Sequence, residues 1–386
     1  MSVLSSSQFI IIGAGFAGAA TAYHLTRLGA RDIVILEQEK IAGVHSSGRN
    51  ASMIRQVVPE SSIMVLAKEG ADFLRNLPSD WPVPVEFRQN GSLLLGSGEG
   101  WQKLLRDAEM ARNLGIEAES WPPERTKNFV PVLRETRFDG AIWCPTDGVV
   151  DIHALLSGYL KAAVSLGAKI RYGCVVRGIE LAAGRVSGVV TAEEIIKAEC
   201  VINAAGPWAA ELGKMAGAEV PLRPCRRHLF VTAPLSWVDP AWPFVWHDAH
   251  GVYFRPDSGG LLLCPCDQDE MGPCDPPTDN AIAELLAEKI RRSFPGIADV
   301  AIRKNWAGLR TLTPDGRFVI GWDSKVQGFF WVAGLGGHGV TTSSSIGRLA
   351  ADLVLKTESA RGCEFSPARF ASLSQNGRIE PPSSGL

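Results

Sequence analysis

The chain opens with a short unbroken apolar run, Phe9-Ile10-Ile11-Ile12, which gives way to Gly13-Ala14-Gly15-Phe16-Ala17-Gly18. Ala22, Leu25 and Leu28 then recur at helical spacing up to Gly29, and a second apolar run, Ile33 to Leu36, ends on Glu37. This pattern predicts a buried strand, a helix stopped by glycine and a second buried strand, which is a βαβ unit. Further along, the spacing predicts helices over 61–77, 101–114, 151–166 and 280–293, the third capped by Asp151, and a strand over 92–95. Prolines at 78–84 and 122–123 mark joints between elements. Alternating strands lead to Val201-Ile202-Asn203-Ala204-Ala205-Gly206, and strands rich in aromatic residues occupy 220–305. A buried strand, Phe329 to Ala333, then runs through a glycine-rich turn into a helix from about Thr341.

Strands alternating with helices at the two ends of the chain, around an aromatic β-rich middle, predict an α/β fold. A Rossmann-type domain is expected from residues 8–80, 145–218 and 306–360. A second, α+β domain on a mixed or antiparallel sheet is expected from 81–144 and 219–305. The polar stretch 367–386 reads as a loose tail.

Composition narrows the partners. The formal net charge is −2 and no cationic block is present, so a nucleic-acid surface is not expected. Phe9 to Tyr23 lacks the basic flank and cleavage site of a signal peptide, and glycines interrupt it before it could span a bilayer. The expectation is a cytoplasmic protein with a small-molecule substrate and no transmembrane segment, with peripheral membrane association left open and the oligomeric state unassigned. The eight cysteines are scattered, at 144, 174, 200, 225, 264, 266, 274 and 363. Cys264-Pro265-Cys266 with Cys274 lacks the fourth ligand and the spacing of a zinc or iron–sulfur site, so no metal is expected.

The glycine-rich segment carries the first chemistry. After a strand and before a helix, Gly13 permits the tight turn, Gly15 lets backbone approach a pyrophosphate, and Gly18 allows the helix to pack on the strand. The helix N-terminus favours phosphate, and Glu37 is placed to accept hydrogen bonds from a ribose. Two distant segments separate FAD from NAD. Asn203-Ala204-Ala205-Gly206 ends a strand in small residues on which a cofactor can lie. Val332-Ala333-Gly334-Leu335-Gly336-Gly337-His338-Gly339 precedes a helix whose positive end suits a reduced flavin. FAD is therefore expected.

These segments recur in order with Gly43-Val44-His45-Ser46-Ser47-Gly48-Arg49, Trp306-Ala307-Gly308-Leu309-Arg310 and Thr313-Pro314-Asp315-Gly316. Over residues 8 to 360 the combination resembles the FAD-dependent D-amino-acid oxidase and glycine oxidase family, and within it the bacterial D-arginine dehydrogenase branch. The resemblance implies cofactor contacts from Gly13, Gly15, Phe16, Ala17, Gly18, Glu37 and Gln38, and from His45, Ser46, Ser47, Gly48 and Arg49. It extends them to Val175, Val176, Ala204, Ala205, Gly206, Trp208, Gly308 and Arg310, and to Gly336, Gly337, His338, Gly339, Val340 and Thr341. Where covalent-flavin relatives carry a cysteine, this chain has Gly308, so the resemblance implies noncovalent FAD.

On the substrate side the resemblance implies that Arg310 grips a carboxylate in a two-pronged fork and that Tyr253 donates a second hydrogen bond. A planar guanidinium suits a carboxylate better than an ammonium does. The alternatives are a structural ion pair of Arg310 with Asp315, and a core aromatic role for Tyr253. One of Arg226 and Arg227 is expected to point inward. His45 and His338 are candidates for cofactor hydrogen bonding or amine proton transfer, and Ile54 and Gly337 for substrate contact. The branch's tyrosine at the position of His338 is absent here, as are its tyrosine near Met53-Ile54 and its acid before Asn90-Gly91-Ser92-Leu93-Leu94. The expected activity is oxidation of a neutral D-amino acid to an imino acid, with oxygen or a quinone as acceptor. Oxidation of a 2-hydroxy acid or a sarcosine-like secondary amine, and a flavin subunit of an electron-transfer complex, are the alternatives.

Overall fold

The structure, a computed structural model, describes residues 6–355 and 362–371. The βαβ unit forms as expected: strand Ser6–Ile12, helix Phe16–Arg27, and strand Ile33–Leu36. Gly13 takes a φ of +104°, and a Cβ there would lie 2.6 Å from the Ala204 carbonyl oxygen, so this turn is restricted to glycine. Strands Lys169–Arg171, Ile33–Leu36, Ser6–Ile12, Ile195–Asn203 and Phe329–Ala333 lie parallel in that order, and Val319–Trp322 joins antiparallel beyond the last. The hairpin Val176–Ala182 and Arg185–Thr191 pairs with the first half of Ile195–Asn203 and completes an eight-stranded sheet. On one side, helices Phe16–Arg27 and Ser343–Val354 approach so closely that a Cβ on Gly347 would sit 2.6 Å from the Ala20 backbone.

A second sheet of nine strands supplies the other wall. It runs Asp269–Glu270, Arg223–Thr232, Gly260–Cys264, Val252–Asp257, Phe244–His247, Ser92–Gly96, Gly140–Cys144 and Glu119–Trp121, with Ile302–Leu312 also paired to Arg223–Thr232. Alternation along these strands divides the sheet into two faces. Phe230, Leu263, Phe254, Val245 and Leu93 pack under helix Ala281–Ser293 in one core. Leu229, Cys264, Tyr253, Trp246 and Leu94 face the other way and join the core of the βαβ region. A small sheet of Met53–Ile54, Gly148–Val150 and Phe87–Arg88 bridges the two regions.

The helices expected from periodicity appear at Ser61–Arg75, Gly98–Asn113, Ile152–Ser165 and Ala281–Ser293. Asp151 caps the third by accepting from the His153 and Ala154 amides. Two expected boundaries differ. Residue 306, placed at the start of a Rossmann segment, lies inside the strand Ile302–Leu312 of the second sheet, because that strand continues the aromatic-rich ladder. The start of the expected loose tail is packed: Pro367–Phe370 forms a 3₁₀ turn, Phe370 is buried, and Arg369 pairs with Asp315. The remainder of 367–386, and residues 356–360, lie outside the described residues.

Candidate active site

A cavity of about 410 Å³ opens between the two sheets, within the usual range for a small-molecule site. At one end lie the turn at Gly13 and Gly15, the first residues of helix Phe16–Arg27, and Glu37. That helix has neither a side-chain cap nor an acidic residue in its first turn, so its positive end is available to an anion. Glu37 accepts from the Ala14 amide at 2.8 Å through one oxygen and from the Glu39 amide at 2.9 Å through the other. Its carboxylate is thereby fixed at the strand end, with further lone pairs to receive ribose hydroxyls. Gly18 and Gly48 do not line the cavity. A Cβ on Gly18 would sit 1.9 Å from the Gly13 oxygen, and one on Gly48 would sit 2.0 Å from the Gly43 oxygen. Both shape the loops from behind.

Along the middle of the cavity run Gln38, His45, Ser46, Ser47, Arg49, Val175, Val176, Ala204, Ala205, Gly206 and Trp208. Ser47 accepts from the Phe16 amide at 3.0 Å, and Ser46 donates to the Leu309 carbonyl at 2.6 Å. Arg49 donates to the Val44 and Ala307 carbonyls and pairs with Asp275. His45 packs against Trp208 and meets the Glu39 carboxylate through Nε2 at 2.9 Å, while its buried Nδ1 has no partner. These features fit a flavin adenine dinucleotide, whose phosphates the uncapped helix would hold and whose ribose Glu37 would receive.

At the far end Arg310, Arg227 and Tyr253 converge. Arg310 makes no ion pair among the described residues. Asp315, its suggested partner, is instead held by Arg317 and Arg369. Burial, together with the nearby Arg227, lowers the Arg310 pKa from its usual value, as expected of a cation lacking a counter-ion. Gly337 leaves room for it, since a Cβ there would lie 2.9 Å from Nη1. The Tyr253 hydroxyl is buried beside Cys264, with no oxygen or nitrogen partner among the described residues, and burial keeps it protonated as a donor. Arg227 donates to the Asp267 carbonyl and to Gln268 but leaves Nη1 unpartnered. Arg226 points away, to Asp269 and Asp279, because neighbouring residues on a strand face opposite sides.

Three other expectations are corrected. Ile54 is fully buried in the core and does not reach the cavity. Thr341 is occupied behind the wall, accepting from the Arg55 amide and donating to the Met53 carbonyl. His338 is buried outside the lining, and burial, with Arg55 and Arg310 beside it, lowers its pKa to about 3, so its ring is neutral. Gly336, Gly339 and Val340 do line the cavity.

The sequence also hid an acid. Asp147 is fully buried against Ser92, which donates to it at 2.7 Å, while Gln56 donates from its amide at 3.0 Å and its side chain at 2.9 Å. It stands beside Asn90-Gly91, where no carboxylate was expected, yet it is outside the cavity and already satisfied. Burial raises its pKa to about 6.

A Rossmann-type sheet with an uncapped helix N-terminus after Gly13 and Gly15, joined to a pocket holding Arg310 and Tyr253, suits a flavin-dependent oxidoreductase. The chain belongs to the FAD dependent oxidoreductase family, whose profile matches residues 8–353. It is 27% identical to 4-methylaminobutanoate oxidase (formaldehyde-forming) of Paenarthrobacter nicotinovorans over 90% of this chain and 43% of that protein. It is 28% identical to mitochondrial sarcosine dehydrogenase of Mus musculus, over 89% of this chain and 39% of the relative. The chain thus spans less than half the length of these curated relatives. Among solved structures, glycine oxidase from Geobacillus kaustophilus superposes with a TM-score of 0.79 at 25% identity, covering 97% of this chain and all of that one. L-proline dehydrogenase from P. horikoshii gives a TM-score of 0.87 at 24% identity, covering 96% and 99% of the two chains, a likeness of fold. No helix among the described residues is long and apolar enough to cross a membrane.

Proposed function

We propose that the protein oxidises the Cα–N bond of a small amino acid with a neutral side chain, a D-amino acid being the first choice. The observation that carries this reading is the meeting in one pocket of Arg310, without a carboxylate partner among the described residues, with the buried Tyr253 hydroxyl, which has no oxygen or nitrogen partner among them. Arg310 and Arg227 crowd two positive charges into this pocket, which is costly, and a substrate carboxylate would relieve it. Arg310 would take both carboxylate oxygens, Tyr253 would donate to one of them, and Arg227 would add charge through Nη1. Their common work is orientation, holding the substrate so that its Cα–H faces the cofactor. FAD, when bound, supplies the two-electron acceptor. The imino acid product hydrolyses in water to a 2-oxo acid and ammonia.

A secondary amine such as an N-methyl amino acid is the second reading, favoured by the names of the two curated relatives. A cationic side chain, as in D-arginine, is disfavoured because Asp147, the acid beside Asn90-Gly91, is consumed by Gln56 and Ser92. The test is anaerobic mixing of the yellow holoprotein with D- and L-amino acids, N-methylglycine and 2-hydroxy acids. Bleaching by neutral amino acids or N-methylglycine supports the proposal. Bleaching by hydroxy acids alone, or highest kcat/KM for D-arginine or D-lysine, refutes it. Admitting air afterwards distinguishes oxygen from a quinone-type acceptor.

A further inference from the structure

The face of the second sheet that carries Arg310 and Tyr253 also carries Cys225 and Cys264, and the turn after Cys264 adds the thiol of Cys266. Strand register fixes the arrangement: Arg310 pairs with Cys225, two residues from Arg227, while Cys264 pairs with Tyr253, which pairs in turn with Trp246. Phe230 pairs with Leu263, so Cys264 lies across from Leu229 on the same face as Arg227. Cys264 is fully buried and is followed by Pro265 and Cys266. Cys266 adopts a φ of +52°, in the left-handed region that a residue with a side chain rarely enters. That turn brings its amide to 3.4 Å from the Cys264 sulfur and lets its thiol hydrogen-bond the same atom. Strain of this kind persists only where the surroundings enforce it. Here Lys289 of the neighbouring helix holds the Pro265 and Gly251 carbonyls at 2.7 and 3.1 Å.

The charges facing the pair are predominantly cationic. Arg227 and Arg310 come from two strands and Lys289 from the helix, Tyr253 is a neutral phenol, and the one nearby acid, Asp267, is engaged by His228 at 2.7 Å. Burial opposes a thiolate at Cys264, but the Cys266 hydrogen bond and then Arg227 and Arg310 outweigh it and lower the thiol's pKa.

We propose that the Cys264–Cys266 pair, which stands beside Tyr253 without lining the cavity, is a built-in anion for the carboxylate pocket, carrying one negative charge when the pocket is free and taking up a proton when a carboxylate binds. The inference rests on the carboxylate site proposed above and gives that site a competitor of its own. Substrate binding is then proton-linked, with affinity falling as the pair ionises. Cys264 supplies the charge, while Cys266 is a positioning residue that acts through it.

The test uses FAD-loaded protein and benzoate, a carboxylate with no amine to oxidise. Benzoate affinity is read from the flavin spectrum between pH 5 and 9, proton uptake by calorimetry in two buffers, and thiolate by its ultraviolet absorbance. Above the pair's pKa, wild-type affinity falls about tenfold per pH unit, with one proton taken up per benzoate bound. In the Cys264→Ser/Cys266→Ser double variant the slope flattens and the thiolate absorbance disappears. Cys266→Ala alone, which keeps the Cys264 sulfur, moves the break to higher pH. An unchanged slope in the double variant, or wild-type protein without thiolate absorbance until the range of free thiols, overturns the inference and leaves the carboxylate site standing. Failure of benzoate to perturb the flavin at any pH overturns the carboxylate site, and the inference with it.

Discussion

Replacing Arg310 separates two roles that a buried arginine can have, because they move stability and activity in opposite ways. If it binds a substrate carboxylate, Arg310→Ala removes the main charge partner and costs about 3–5 kcal/mol of transition-state binding. That corresponds to roughly two to four orders of magnitude in kcat/KM. The substrate-free protein should respond differently. Arg310 is half-buried, has no carboxylate partner among the described residues, and feels Arg227 close by, so at pH 5, where the Cys264–Cys266 pair is protonated, its removal relieves repulsion and desolvation. Arg310→Met, which roughly keeps the aliphatic volume, should leave the holoprotein's Tm at pH 5 unchanged or raised. Arg310→Lys should recover only part of the activity, because an ammonium cannot form the two-pronged contact. The assays are steady-state kinetics at saturating acceptor, FAD content and thermal melting without substrate. A melting point several degrees lower, with kcat/KM preserved in the remaining holoprotein, would refute the reasoning and make Arg310 structural.

Three more outcomes follow from particular contacts. Asp147 has a folded pKa of about 6, above its ordinary value of 3.8, so its contribution to stability is full at low pH and declines as pH rises from about 4 to 6. Asp147→Asn should therefore raise the Tm at pH 8, by up to about 3 kcal/mol of stability, and do little at pH 4; a fall at pH 8 would show that the charged form is needed. Glu37→Ala frees the Ala14 and Glu39 amides and removes the ribose acceptor, and should weaken FAD binding about 10- to 100-fold when apoprotein is titrated with FAD. Gly18→Ala would press a methyl group to 1.9 Å from the Gly13 oxygen and should abolish recovery of soluble yellow protein; normal flavin content would contradict the packing argument.

Local pattern was sufficient for the elements. Apolar runs bounded by glycine, and helical spacing bounded by Asp151 or proline, are properties of consecutive residues, and the βαβ unit and the main helices follow from them. The far end of the cavity depends on register, which joins residues distant in the chain. Sequence left Arg226 and Arg227 as alternatives; strand parity resolves them, since Arg227 pairs with Gly308 while Cys225 pairs with Arg310. Cys264 lies near Arg310 for the same reason, and nothing in Cys264-Pro265-Cys266 as a string points to a guanidinium. Asp147 escaped notice because it reaches Ser92 from another strand connection, 55 positions away. Ile54 was assigned to the substrate by position relative to a family pattern, but its apolar side chain gains more from the core than from a polar pocket.

The strand Ile302–Leu312 is tied on alternate residues to the segments that would hold the cofactor: Ala307 accepts from Arg49, Leu309 from Ser46, and Thr311 from the Gly336 amide at 3.0 Å. Arg310 projects from the middle of these ties. Its position is therefore set by the two cofactor loops, and neither site can loosen without the other. Binding couplings of this kind are reciprocal. A carboxylate held at Arg310 would act as a brake on flavin escape, and protein purified with such a ligand would keep its colour through dilutions that bleach the free holoprotein.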